Sequence, residues 1–310
     1  MSTTALIQTT GIAGPTIRCG IENPAAPRIV NGVDVSVVRK YSWQVGLAAG
    51  KQFLYNCGGS IITNKHILTA AHCFKNPTDG IVPCSMNLVK QTYVGIGDHN
   101  QGESDDNLPD LVEPILIKQV TLHENYTCDA NLWDIAVVEL TTPIDLLKHA
   151  DAIHPICLPK DNSKTYEGLI ATISGWGTTI GYNLPATPPP PQLPNILQEA
   201  QVTVNSITDC KSNYNNITIG NITGSVFVDL EQNLCAGTDQ GFENGGEDTC
   251  QGDSGGPISV KETGQHVQIG VVSHGFGCAS EGFPGVYARV SYFLDWIKSK
   301  VGSEATYTLP

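Results

Sequence analysis

Asp248-Thr-Cys-Gln-Gly-Asp-Ser-Gly-Gly-Pro257 places a serine among glycines, Gly252-Asp-Ser-Gly-Gly256. By itself the Gly-x-Ser-x-Gly pattern allows a plain glycine turn or the strand–turn–helix elbow of an α/β hydrolase sheet. The elbow needs an acid and then a histidine after the serine. Here His266 and His274 follow soon after Ser254, and Asp295 comes later, so the order is wrong. The surrounding chain also lacks strand–helix alternation. Short β-branched runs recur instead between Gly, Pro and Asn clusters: 42–48, 60–68, 93–96, 115–122, 135–140, 169–174, 198–204, 257–260, 267–273 and 285–290. That pattern predicts an all-β sandwich or barrel architecture. The clearest helical stripe is near the end, where Phe293, Trp296 and Ile297 stand at i, i+3 and i+4 within 292–300.

Composition bounds the partners. The 310 residues hold 17 Lys and Arg against 30 Asp and Glu, a net charge of −13, which disfavours nucleic acid and anionic membrane. At 40% hydrophobic the chain has enough apolar matter for a core, and no run of about 18 apolar residues marks a membrane span. Ten cysteines without a Cys-x-x-Cys point to an oxidising compartment. Sequons at Asn125, Asn216 and Asn221 agree with passage through the secretory route. Residues 1–20 have neither the basic start nor the apolar stretch of a signal peptide, and the cysteines are given the greater weight.

Three upstream motifs give the serine a context: Cys57-Gly-Gly-Ser60, Leu68-Thr-Ala-Ala-His-Cys73 and Asp134-Ile-Ala-Val-Val138. With the Ser254 segment, this ordered set resembles the chymotrypsin–trypsin family of serine proteases, from about Arg28 to Val301. The resemblance implies two six-stranded antiparallel β-barrels with a short C-terminal α-helix. It also implies a His72–Asp134–Ser254 triad between the barrels, the mechanism for which this family is the standard worked case. The residue types suit that chemistry. A serine hydroxyl needs a base to become nucleophilic, His72 can take and return the proton, and Asp134 can hold the imidazole in one tautomer. The N–H groups of Gly252 and Ser254 would bind the oxyanion.

The same resemblance assigns further residues. Arg28-Ile-Val-Asn-Gly32 looks like an activation site, where cleavage after Arg28 frees the amine of Ile29 to pair with Asp253. Three units follow: residues 1–28 as an N-terminal segment tethered through Cys19, 29–301 as the catalytic domain, and 302–310 as a tail. Asp248 falls at the floor of the primary substrate pocket and Gly275 and Gly285 at its walls, implying cleavage after Arg or Lys. His274 departs from the family, which usually has an aromatic residue there, most often Trp. It either alters the adjoining subsite, with a pH-dependent contact, or replaces one flat ring by another.

The implied disulfides are Cys19–Cys157, Cys57–Cys73, Cys210–Cys235 and Cys250–Cys278. A further common family bridge is missing at both ends, where Ala171 and Val260 stand. Cys84 and Cys128 are left over, on loops that neighbour each other in this fold, and are predicted to pair at the rim of the cleft. The insertions at 75–91 and 178–194 lie on that rim, the second ending in a stiff Pro-rich stretch. No cofactor or transition-metal site is expected. Calcium on the acidic loop with Asp98, Glu103, Asp105 and Asp106 is the lesser reading beside a solvated loop. The leading function is a secreted, monomeric zymogen of a trypsin-like endopeptidase, acting on peptide and protein substrates and open to protein protease inhibitors. Its rival is an inactive homologue that binds. Limited proteolysis of cascade or venom type is favoured over digestion.

Overall fold

Six strands in the first half of the chain close into a barrel; five of them are buried along most of their length, and the sixth, 115–122, buries only Ile117 and Val120. The computed structural model describes residues 17–23, 33–50, 54–74, 92–102, 108, 111, 114–126, 132–182, 190, 192–215, 217–219, 222–238 and 246–302. After the short β1 (Val33–Asp34), the barrel comprises β2 (Gln44–Ala49), β3 (Cys57–Ile61), β4 (His66–Thr69), β5 (Thr92–Ile96), β6 (Ile115–Leu122) and β7 (Ala136–Leu140). They close in the order β2-β3-β4-β7-β6-β5, every pair antiparallel. Gly46 and Gly95 face each other across β2 and β5. A Cβ on either would collide with the buried Tyr55 ring, so the two glycines make room for the largest side chain at that level.

The second barrel uses β8 (Ile170–Gly175), β9 (Gln198–Asn205), β12 (Asn233–Gly237), β13 (Pro257–Glu262), β14 (Gln265–His274) and β15 (Gly285–Arg289). Neighbours run β9-β12-β15-β14-β13-β8, and β8 pairs back onto β9 to close the ring, with β1 added outside β9. Between these strands lie the helix α1 (Ile207–Asn215) and a hairpin of β10 (Ile217–Ile219) and β11 (Ile222–Gly224). The chain therefore has the expected pair of six-stranded antiparallel barrels.

Ala171 and Val260 are 1% and 2% exposed in the core of the second barrel, so close packing stands where the family's missing bridge would be. The last helix, α2 (Val290–Val301), follows β15 directly. It buries Phe293, Leu294 and Ile297 in the core of the first barrel. Each such side chain contributes about 1.5–3 kcal/mol. The helix thus straps one barrel to the other.

Several details differ from the sequence reading, the short strands β1, β10 and β11 among them. The run 60–68 is a hairpin, β3 and β4, with its turn over 62–65, where Ile62 and His66 bond across it. β12 and α1 carry too little periodicity to announce themselves. β12 is five residues ending in Cys-Ala-Gly, and α1 buries only Cys210 and Tyr214.

Polar side chains stitch the barrels together. Ser60 Oγ bonds Gln268 Oε1 at 2.6 Å, Ser174 Oγ bonds Gln44 Oε1 at 2.9 Å, and Trp176 Nε1 donates to His99 O at 3.2 Å.

Candidate active site

β4 ends at Thr69, and the chain turns at once into a 3-10 turn, Ala71–Phe74, pinned by the buried Ala71 and Phe74 and by the Cys57–Cys73 disulfide. His72 projects from this turn toward the seam. Asp134, 1% exposed, precedes β7 and takes three hydrogen bonds there. His72 N donates to Oδ1 at 2.9 Å, His72 Nδ1 lies 2.7 Å from Oδ2, and Ser273 Oγ donates to Oδ2 at 2.5 Å. An ionised carboxylate only accepts, so the imidazole carries its proton on Nδ1 and leaves Nε2 as a base. Burial pushes the Asp134 carboxyl up. The neighbouring His72 and the bonds from His72 and Ser273 outweigh it and hold the group below its ordinary value.

The second barrel delivers the serine to the same seam. Gly58 N donates to Ser254 O at 2.7 Å, and that carbonyl lies 3.6 Å from Sγ of Cys73, the residue after His72. Gly255 has φ +79°, and a Cβ there would strike Thr69 Oγ1, so only glycine lets the loop press against β4. The N–H groups of Asp253, Gly255 and Gly256 donate to Cys250 O, Val272 O and Asp253 O. Among the described residues, no backbone carbonyl accepts from Gly252 N or Ser254 N. Two N–H groups without a backbone acceptor, one on either side of the engaged Asp253 N–H and the second the serine's own, are the kind of donor a developing oxyanion requires.

Two carboxyls flank this loop. Asp253 receives Gly177 N at 2.8 Å and Cys250 N at 3.0 Å, and no described cation pairs with it. Burial raises its pKa to about 6 against those two bonds. A Cβ on Gly175 or Gly177 would run into the carboxylate, so the glycines hollow out its place. Asp248 receives Thr249 N at 2.8 Å and Ala279 N at 2.9 Å, and burial raises it to about 7. Both line a cavity of about 280 Å³ whose other walls include Ile173, Gly175, Gln198 and Glu199.

Gly285 backs directly onto Asp248, where a Cβ would stand 2.6 Å from Oδ1. A Cβ on the exposed Gly275 would meet nothing nearer than 3.6 Å. Cys250–Cys278 joins the two segments around this opening. His274 Nδ1 lies 3.1 Å from Ser273 Oγ, and burial holds the imidazole below its ordinary pKa.

Cys19–Cys157 and Cys210–Cys235 are also formed. The Cys57 and Cys73 sulfurs near His72 are spent in their disulfide and cannot hold a metal. Asn125 lies on an exposed turn. Asp98 is buried and accepts from the Tyr55 hydroxyl. Arg28, Ile29, Cys84, Cys128, Asn216, Asn221, Glu103, Asp105 and Asp106 fall outside the described residues. Among the described side chains that donate to Asp134, Ser273 is the one that motif reading passed over. Its place in Ser273-His-Gly275 was the available signal, but nothing in one sequence says that its hydroxyl meets Asp134.

With this geometry in view, the family model for trypsin matches residues 29–297. The chain belongs to the trypsin family. It is a serine endopeptidase in that family, with relatives of similar design. It is 33% identical over 287 residues to the venom serine protease Bi-VSP of Bombus ignitus, covering 89% of this chain and 69% of the relative. Against the proclotting enzyme of Tachypleus tridentatus it is 34% identical over 288 residues, 90% of this chain and 68% of the other. A tryptase of Mus musculus shares 36% over 261 residues, 83% of each. No described helix is long and apolar enough to cross a membrane.

Proposed function

We propose that this trypsin-family protein is a secreted zymogen, cleaved after Arg28, that hydrolyses peptide bonds after Arg or Lys. The observation that carries the reading is the Asp134 carboxylate, buried and held by three donors, which leaves His72 with a basic Nε2 at the seam where Ser254 stands. His72 takes the Ser254 proton as the hydroxyl attacks the scissile carbonyl, and Asp134 stabilises the imidazolium. Gly252 N–H and Ser254 N–H bind the oxyanion. His72 then protonates the leaving amine, and water repeats the sequence on the acyl-enzyme.

Substrate charge and activation both rest on buried carboxyls. Asp248 offers an anion to an Arg or Lys side chain admitted between Gly275 and Gly285. Asp253, uncompensated by any described cation, is the partner for the freed amine of Ile29. Residues 1–28 then stay attached through Cys19–Cys157, 29–301 form the catalytic domain and 302–310 a tail. Protein substrates and protein protease inhibitors are its partners, and it acts as a monomer. Relatives named for venom and for clotting favour limited proteolysis over digestion.

The test is cleavage after Arg28 followed by assay on arginine and phenylalanine esters, with Ser254→Ala alongside. Hydrolysis of the arginine ester alone, lost in the variant, is the expected result. Equal rates for the wild-type chain and the variant would instead mark an inactive binding homologue.

A further inference from the structure

The residue before Asp134 is a tryptophan in the left-handed region of backbone space, Trp133 with φ +57°. A bulky side chain seldom adopts this conformation, which is strained and persists only where the surroundings impose it. Here they do so from three directions. The ring stacks on His123 with centroids 4.6 Å apart and an interplanar angle of 27°. Tyr292 and Phe293 of α2 approach its centroid at 5.8 and 5.9 Å. Trp133 N donates at 3.1 Å to Oε1 of Gln232, a residue of the second barrel that is 7% exposed.

The backbone of Asp134 is caught between these anchors. Ile135 N donates back to Trp133 O at 2.8 Å, closing a tight turn with Asp134 at its centre, and His123 N donates to Ile135 O at 3.1 Å. The aspartate itself has no other close restraint on its main chain among the described residues. Its side chain must meet both the Nδ1 and the backbone N–H of His72, a pair of contacts that tolerates little rotation of the turn.

We infer that Trp133 is a positioning residue: its ring, wedged between His123 and α2, holds the left-handed turn that aims Asp134 at His72. The C-terminal helix and Gln232 thereby act on the catalytic acid without touching it. This rests on the triad reading above.

The experiment compares Trp133→Ala, Trp133→Asn and Asp134→Asn in the full chain cleaved after Arg28, with rates per active site titrated. Asparagine lacks the ring but tolerates the left-handed conformation, whereas alanine lacks the ring and resists it. Trp133→Ala should lower kcat roughly 100-fold, the scale of a small misplacement of a catalytic group, with KM within about twofold. Its acid limb in the kcat–pH profile should move to lower pH, because a misaimed Asp134 supports the imidazolium less. Trp133→Asn should recover kcat to within about fivefold of wild type, even if its melting temperature falls. Unchanged kcat and pH profile in Trp133→Ala would overturn the inference, as would equal losses in Trp133→Ala and Trp133→Asn. Full activity in Asp134→Asn would overturn the triad reading and the inference with it.

Discussion

Asp248 and Asp253 are both driven toward neutrality by burial, yet each is proposed to receive a cation. For Asp248 the consequence is a pH-dependent pocket. With its pKa at about 7, the carboxyl is mostly protonated at pH 6 and mostly ionised at pH 8. A small amidinium ligand should therefore bind roughly tenfold more tightly at pH 8 than at pH 6, measured by calorimetry on the cleaved Ser254→Ala chain. A flat profile would show that the ligand does not meet this carboxyl. For Asp253 the sign runs through folding. Its pKa is raised from 3.8 to about 6, so the folded, uncleaved chain binds the extra proton between about pH 4 and 6. Stability then falls as pH rises through that window. In Asp253→Asn this part of the fall in melting temperature should vanish. An unchanged slope would contradict the assignment. Burial of this kind is not legible in a motif: Asp253 was readable as a partner for Ile29, but its uncompensated state comes from the hollow left by Gly175 and Gly177.

The segment 17–23 shows how an element outside the barrels is held. Gly20 N donates to Pro155 O, His266 N to Gly20 O, and Gln265 Nε2 to Cys19 O at 2.7 Å. Glu22 Oε1 meets Nε2 of the buried His266 at 2.8 Å, while His266 Nδ1 meets Ser259 Oγ at 2.8 Å and Lys261 Nζ donates to Glu22 Oε2. Burial opposes the charge on Glu22, yet the bonds from His266 and Lys261 pull its pKa down to about 2. Its contribution is present above the ordinary value of 4.5 and lost as pH falls toward 2. Glu22→Ala should lower stability by about 2 kcal/mol at pH 7, the loss expected for charged hydrogen bonds to a buried partner, read by urea unfolding. No change would mean that the disulfide alone holds the segment. The sequence announced the Cys19 tether but not this docking, because Glu22 and His266 lie 244 residues apart. Elements followed the same logic. Long runs rich in β-branched residues such as β6 and β9 were legible, whereas β12 and α1 take their form from partners that no local pattern reveals.

Across the whole molecule, the proposed function resides in the seam. One barrel supplies His72 and Asp134, the other Ser254, Asp248 and Ser273, and α2 crosses from the second to the core of the first. Four ordered motifs made this architecture legible because each belongs to one side of the cleft. The seam contacts themselves, Gly58 on Ser254 and Gly255 against Thr69, depend on backbone shape and stayed hidden. Gly255→Ala should therefore abolish ester hydrolysis, since its Cβ cannot coexist with Thr69 at φ +79°. Wild-type turnover in that variant would mean that the barrels meet differently. Labelling with a fluorophosphonate, whose phosphorus loses fluoride as it bonds to an activated serine oxygen, tests Ser254 as the nucleophile. Peptide mapping should find the label on Ser254, strongly after cleavage at Arg28 and weakly before. Label on another residue, or none after cleavage, would contradict it.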